Sequence, residues 1–323
     1  MKNQNSQILK TVLITGGTGF IGSALCTDLI KDNYKLTVLT RNKQLKNNST
    51  ISFVSDLDSI DFNFDIVINL AGASIAVNWN KKNQQEIYDS RINITKKIVE
   101  KINNSATPPR LLISGSAIGI YPQQTPQNIA EDYLTNDLQN IAINPQNSSL
   151  NSQTSFAQKL CFDWEKTALQ AQNKTRVVLL RTGIVLGKKN NNLDGFLKKI
   201  YWPFFLGVGA KIGDSKQQMS WIALEDIIGI IKLIIDDEKI SGPINTTSPS
   251  PISNQKFSET FAKILNRPCF FSLPSCFIKQ VYGQMGEELM LSSQSIAPKK
   301  ALQHNYQFQF LEIEKCLINI FKK

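Results

Sequence analysis

The segment from Thr11 to Gly22, Thr-Val-Leu-Ile-Thr-Gly-Gly-Thr-Gly-Phe-Ile-Gly, constrains the fold more than any other stretch of the chain. An apolar run, Val12 to Thr15, meets a glycine-rich turn, and behind it Ile21, Leu25, Leu29 and Ile30 recur at helical spacing. A buried strand must therefore turn sharply into a helix. Gly16 permits the turn, Gly19 lets backbone N–H groups come close to a ligand, and Gly22 lets the helix pack against the strand. The helix start carries free N–H donors and a partial positive charge, which suits a pyrophosphate. This reading assigns Gly16, Thr18, Gly19, Phe20, Ile21 and Gly22 to such a group.

Short apolar runs without alternation follow at Lys35 to Leu39, Ile51 to Val54, Phe64 to Leu70, Arg110 to Ser114 and Arg176 to Arg181. Runs of this kind belong to parallel strands covered on both faces. Helical periodicity separates the first two strands, and Trp79 to Asn103 reads as one or two further helices. Six strands alternating with helices predict an α/β fold, a Rossmann-type doubly wound parallel sheet. Past Arg181 the alternation breaks down around the bulky run Tyr201-Trp202-Pro203-Phe204-Phe205. Helical character returns from Trp221 to Asp236, a short strand follows at Pro243 to Thr246, and a helix runs from Asn254 to Leu265. The expected division is a dinucleotide-binding domain over residues 1–181 with returning elements around 219–247, and a smaller C-terminal substrate lobe made of 182–218 and 248–323. Residues 132–154, polar and carrying five asparagines, read as a solvated loop.

The end of the second strand decides which dinucleotide the turn would take. An acidic residue there would accept hydrogen bonds from the ribose hydroxyls of NAD; this chain has Arg41, nineteen residues beyond Gly22, with Lys43 nearby. A guanidinium suits a 2′-phosphate, so the expected cofactor is NADP(H). At the fourth strand, Leu70, Ala71 and Gly72 stand where the chain must pass close to a cofactor, and Ala71 and Gly72 leave room for its adenosine side or pyrophosphate. The fifth strand ends in Ser114-Gly115-Ser116-Ala117, which places hydroxyls at the nicotinamide end, Ser116 being the catalytic candidate.

Composition removes other classes of function. The five cysteines contain no Cys-x-x-Cys and there is a single histidine, His304, so a zinc site, a disulfide scaffold and a histidine relay are all poorly supplied; no metal site is expected. No apolar run reaches the roughly 18 residues of a membrane span, and Met1 to Lys10 lacks a signal-peptide core, which predicts a cytoplasmic protein with no membrane partner. The net charge of +10 divides evenly between the two halves of the chain, an argument against nucleic acid as partner. The expected partner is a small-molecule substrate, unidentified; oligomeric state is not legible.

Taken together, Thr15 to Gly22, Asn69 to Gly72 and the serine-ended fifth strand resemble the extended short-chain dehydrogenase/reductases. More narrowly, the chain resembles the atypical "epimerase family" of that class, proteins described as sugar-nucleotide epimerase-like or cell-division-inhibitor-like. The match runs nearly end to end, through Ser90-Arg91-Ile92, Ile113 to Tyr121, Ala130-Glu131-Asp132, Cys161 to Glu165, Arg181 to Gly187, Met219 to Ile222, Gly242 to Asn245, Gly286-Glu287 and Pro298-Lys299. The resemblance implies a dinucleotide-dependent oxidoreductase or epimerase-like enzyme whose own C-terminal domain closes over the nicotinamide, with Glu287 among its candidate substrate contacts and interface packing as the other, favoured reading of that domain.

Active members of the wider superfamily use Tyr-x-x-x-Lys, the lysine lowering a tyrosine pKa that is ordinarily near 10. None of the seven tyrosines here has a lysine four residues on, and alignment on Glu165 puts Ala157 and Cys161 where the pair should stand. Tyr121, five beyond Ser116, is the substitute candidate for moving a proton, with a packing role as the alternative; Cys161 reads as a small buried residue before it reads as a thiolate. Arg181 and Trp221 are candidates for substrate contact, an ion pair being the other reading of Arg181. The family's Trp-Ile-His is Trp221-Ile222-Ala223 here, so one imidazole is absent. Two functions remain open: an NADP(H)-dependent oxidoreductase or epimerase-like enzyme, and a non-catalytic NADP(H)-binding regulatory or scaffold protein.

Overall fold

The computed structural model describes residues 10–134 and 155–322. Six strands arise where the apolar runs stand: β1 (Thr11–Thr15), β2 (Lys35–Leu39), β3 (Ile51–Val54), β4 (Ile66–Asn69), β5 (Leu111–Ala117) and β6 (Arg176–Thr182). With β7 (Gly242–Thr246) they form one seven-stranded sheet in the order β7-β6-β5-β4-β1-β2-β3, every neighbouring pair parallel. The order reverses between β1 and β4, which opens a crevice at the carboxyl ends of those strands.

Helices cover both faces because each carries an apolar stripe. On one face α1 (Phe20–Lys31) buries Leu25 and Leu29 beside Val12, Ile14 and Val38, together with the isoleucines of α5 (Leu224–Asp236). Asn33, left-handed at φ 62°, ends α1 and turns the chain toward β2. Truncating Leu29 to alanine there costs about 2–5 kcal/mol, the range for a fully enclosed leucine. On the other face α2 (Lys81–Asn104) lays Ile98, Val99 and Ile102 against Leu13, Val67 and Leu112, beside α3 (Phe156–Leu169). Asn80 caps α2 and Ser155 caps α3 through their side-chain oxygens.

A second core lies under α4 (Gly195–Phe205), α6 (Asn254–Ile264) and the closing helix Ile313–Phe321, where Leu197, Phe204, Trp221, Phe257, Phe261 and Leu317 pack together. The helix α7 (Ser275–Met285) bends at Gly283, φ 55°, and leads into a wide π-turn at Gly286–Met290.

The structure departs from the sequence expectations in three places. Trp221–Ala223 is a strand, paired in parallel with Ile184–Leu186, and α5 starts only at Leu224. Its three residues are fully enclosed, so strand pairing satisfies backbone groups that no water can reach. No helix joins β2 to β3, and only a short 3-10 turn, Leu57–Ser59, joins β3 to β4. Asparagine side chains explain the first gap: Asn42 Oδ1 accepts from Gln44 N, Asn48 Oδ1 from Thr50 N and Ile51 N, and Asn47 Oδ1 from Phe53 N, all in place of helical bonds. Helix α4 occupies the bulky run that carried no helical expectation. Of the polar segment 132–154, residues 135–154 lie outside the described residues.

Candidate functional site: the crevice at the strand ends

The glycine turn is held by contact with the loop after β4. Gly16 stands at φ +73°, and a Cβ on it would fall 2.6 Å from the Leu70 carbonyl carbon. A Cβ on Gly22 would collide with the Gly16 carbonyl oxygen. These glycines are therefore required by backbone approach within the protein. Helix α1 begins at Gly19 with no capping side chain and no acidic residue in its first turn, so its leading N–H groups keep their positive end uncompensated. Thr18 and Gly19 are exposed there, and Phe20 and Ile21 are partly exposed.

Below the crevice a polar lattice ties four elements. Thr15 Oγ1 donates to Asn69 Oδ1 at 2.6 Å, Asn69 Nδ2 donates to Thr95 Oγ1 at 2.8 Å, and Trp164 Nε1 donates to the same hydroxyl at 3.0 Å. Thr95 returns its own proton to the Arg91 carbonyl at 2.7 Å, so no member of the set lacks a partner. Arg91 packs against Gly72 and donates to the Ala73 carbonyl at 3.1 Å, while Ser90 Oγ accepts from Ala73 N at 2.9 Å. The Ser-Arg pair thus shapes the Leu70-Ala71-Gly72 turn from underneath. Arg41, just past β2, is exposed.

At the carboxyl end of β5 the candidates come together, facing inward. Ser116 Oγ donates to Glu165 Oε1 at 2.7 Å, and Arg181 grips both oxygens of that carboxylate, Nε to Oε1 and Nη2 to Oε2, each at 2.9 Å. Arg181 Nη1 also donates to the Tyr121 hydroxyl at 3.0 Å, and Tyr121 donates to Asn245 Oδ1 at 2.8 Å. Arg181 is 0% exposed and Tyr121 1%. Of the two readings of Arg181, the geometry is that of the ion pair: Glu165, at the same depth, takes the charge a substrate anion would have taken. Tyr121 is not free to serve a substrate in this arrangement. Its burial pushes the phenol above its ordinary value, only partly offset by the neighbouring Arg181 charge. Trp221 does not line an opening either; it is buried and donates Nε1 to the Ser250 carbonyl at 2.9 Å. Ser114 is fully enclosed in β5. Burial, with the nearby Glu165 charge, pushes the Cys161 thiol up to about 12, which keeps it protonated.

Comparison with known proteins places this architecture. Residues 12–245 match the model of the NAD dependent epimerase/dehydratase family, and residues 273–320 match a domain of unknown function, DUF1731. The chain belongs to the NAD-dependent epimerase/dehydratase family. It is 32% identical over 321 residues to the epimerase family protein SAR0825 of Staphylococcus aureus, covering 98% of this chain and 100% of that one. The epimerase family protein YfhF of Bacillus subtilis is 30% identical, over 95% of this chain and 96% of its own. Among solved structures, the human epimerase family protein SDR39U1, crystallised with NADPH, superposes with a TM-score of 0.80 at 29% identity, over 97% of this chain and 99% of that one.

Two residues of this epimerase family member escaped the sequence reading. Lys189 sits on a short hairpin, Lys188–Lys189 against Asn192–Leu193, and its Nζ lies 2.6 Å from the Thr18 carbonyl oxygen of the glycine turn. Phe20 anchors that segment, since its ring lies where a Cβ on Gly195 would come within 3.2 Å. The contact spans 171 positions, so no local pattern announces it. Glu288, in the π-turn of the C-terminal domain, accepts from Phe156 N at 3.1 Å and Ala157 N at 2.9 Å, with Gln284 Nε2 at 2.7 Å. A carboxylate from the far end of the chain therefore caps α3 at Ala157, the position aligned with the missing tyrosine. Its neighbour Glu287, a candidate substrate contact with packing as the other reading, is exposed and paired with Lys279 at 2.7 Å.

Proposed function

We propose that this protein binds a nicotinamide dinucleotide in the crevice over the glycine turn, prefers NADP(H) to NAD(H), and acts as an oxidoreductase or epimerase-like enzyme on a small substrate. The carrying observation is the pair of cations at the crevice: Lys189 stands 2.6 Å from the turn itself, and Arg41 is exposed where an NAD enzyme would present a carboxylate. The human relative crystallised with NADPH supports the same preference. When bound, the cofactor supplies the hydride. The chain's own residues hold the pyrophosphate at the start of α1, seat the 2′-phosphate against Arg41, and let Leu70, Ala71 and Gly72 approach the adenosine side. Ser116, whose proton is committed to Glu165, keeps only acceptor capacity for the carboxamide or a substrate hydroxyl. The five unpaired cysteines suit a reducing compartment, which supports placement in the cytoplasm.

Burial of Tyr121 and Arg181 favours a second reading, a non-catalytic NADP(H)-binding regulator or scaffold. Calorimetric titration of nucleotide-stripped protein with NADPH, NADP, NADH and NAD, repeated on Arg41→Ala, tests the shared part. The expected result is preference for the phosphorylated pair, lost in the variant. A screen of carbonyl compounds for NADPH oxidation then separates the two readings; failure of all four dinucleotides to bind removes both.

A further inference from the structure

A single apolar face runs across two segments that the crevice does not use. Phe270 is 84% exposed, Leu206 68%, Trp202 62%, and Val208 and Phe271 are each more than half exposed. These residues are neighbours in space. Residues Ala210–Ile212 pair in parallel with Phe271–Leu273, Ala210 standing opposite Phe271. Arg267 Nε donates to the Phe205 carbonyl at 2.6 Å, with its guanidinium 5.0 Å above the Phe205 ring, and Pro268 lies against Gly207. Large side chains that project from a soluble face in this number mark a contact surface.

Charge identifies the kind of partner. Residues 195–213 carry Lys198, Lys199 and Lys211, residues 260–286 carry Lys263, Arg267 and Lys279, and neither stretch contains an acidic residue. Lys211, Lys263 and Lys279 are neutralised at the rim by Glu259, Glu314 and Glu287. Lys198, Lys199 and Arg267 have no carboxylate partner among the described residues, and they flank Trp202, Leu206 and Phe270. A second copy of this chain would bring like charges together. A surface of anionic headgroups above an apolar layer matches both features: the cations lie at headgroup depth while tryptophan and phenylalanine enter the acyl boundary.

We propose that the face formed by α4 and residues 267–273 docks this protein on an anionic lipid surface. Among the described residues no helix is long and apolar enough to cross a membrane, and none is needed, since this contact is peripheral. The sequence expectation of no membrane partner rested on the lack of a span, which does not bear on such a face.

The test is co-sedimentation of the full chain with phosphatidylcholine vesicles, with and without phosphatidylglycerol, at low and raised salt. Partition onto the phosphatidylglycerol vesicles is expected to be at least about tenfold higher and to fall with salt. Leu206→Asp and Phe270→Asp, both at exposed positions, are expected to lower it about tenfold without changing the melting temperature, and Lys198→Glu with Lys199→Glu to abolish the lipid preference. Equal, weak partition onto both vesicle types overturns the proposal. So does a lipid-free dimer in analytical ultracentrifugation that Phe270→Asp dissociates, because the occupant is then a second copy.

Discussion

Arg181 and Glu165 face each other as a closed fork, two parallel N–H···O contacts of 2.9 Å, with neither side chain more than 2% exposed. Burying both ions is costly, and the geometry answers that cost only while both are present. Burial alone would push Arg181 down, but the Glu165 carboxylate outweighs it and holds the guanidinium charged. Removing one partner strands the other. Arg181→Met is therefore expected to lower unfolding free energy by about 3–5 kcal/mol, with Arg181→Met/Glu165→Leu recovering most of that loss. Urea unfolding midpoints of the three proteins check it; a double variant as unstable as the single would show that the pair contributes more than mutual neutralisation.

Gly22→Ala puts a methyl group against the Gly16 carbonyl oxygen. The helix and the turn must separate, at about 1–3 kcal/mol, the range for an overpacked contact. Because the same turn forms the proposed phosphate cradle, the melting temperature and dinucleotide affinity should fall together. A folded variant with unchanged affinity would place the nucleotide elsewhere.

Lys189 and Arg41 are expected to act on different parts of the cofactor. Lys189 reaches the glycine turn proposed to hold the pyrophosphate common to both dinucleotides, so Lys189→Ala should weaken NADPH and NADH alike by about tenfold, a charge-assisted contact of roughly 1.5 kcal/mol. Arg41→Ala should weaken NADPH alone. Calorimetry of both variants against both ligands gives the pattern, and a Lys189 effect confined to NADPH would reverse the assignment.

Glu131 supplies a pH test. Burial raises its carboxyl above the ordinary value, against the Asn245 and Lys300 backbone amides that lower it. The native chain thus keeps this proton to higher pH than the unfolded chain, so stability is lost as pH rises from the ordinary carboxylate range through the raised native value. Glu131→Gln, always neutral, should gain on the wild type across that window and run parallel above it. Melting temperatures of both proteins against pH would show the crossing trend; a constant offset would mean that the native and unfolded carboxyls titrate together.

What could be read locally was read from local patterns. The glycine spacing after an apolar run predicts β1, the turn and α1, because Gly19 and Gly22 answer to the backbone of Gly16 within the same turn, although Gly16 itself answers to Leu70 across the sheet. Arg41 is legible for the same reason, standing at the second position past a strand. Ser116, Tyr121 and Arg181 are legible only as chemistry-bearing residues near strand ends. Which way they face depended on Glu165, one helix away, and on Asn245, 124 positions from Tyr121.

The parallel sheet, the glycine turn and the cation past β2 follow from strand patterning and from the position of the glycines between strand and helix, short-range properties that residue type settles. Long-range packing is what brings the Tyr121 hydroxyl and the Arg181 guanidinium onto one another, carries Lys189 to the turn from 171 positions away, and lets Glu288 cap α3 from the C-terminal domain. Hydrogen bonds and ion pairs are satisfied by whatever partner packing brings within about 3 Å, and that partner is chosen by the whole fold rather than by sequence proximity.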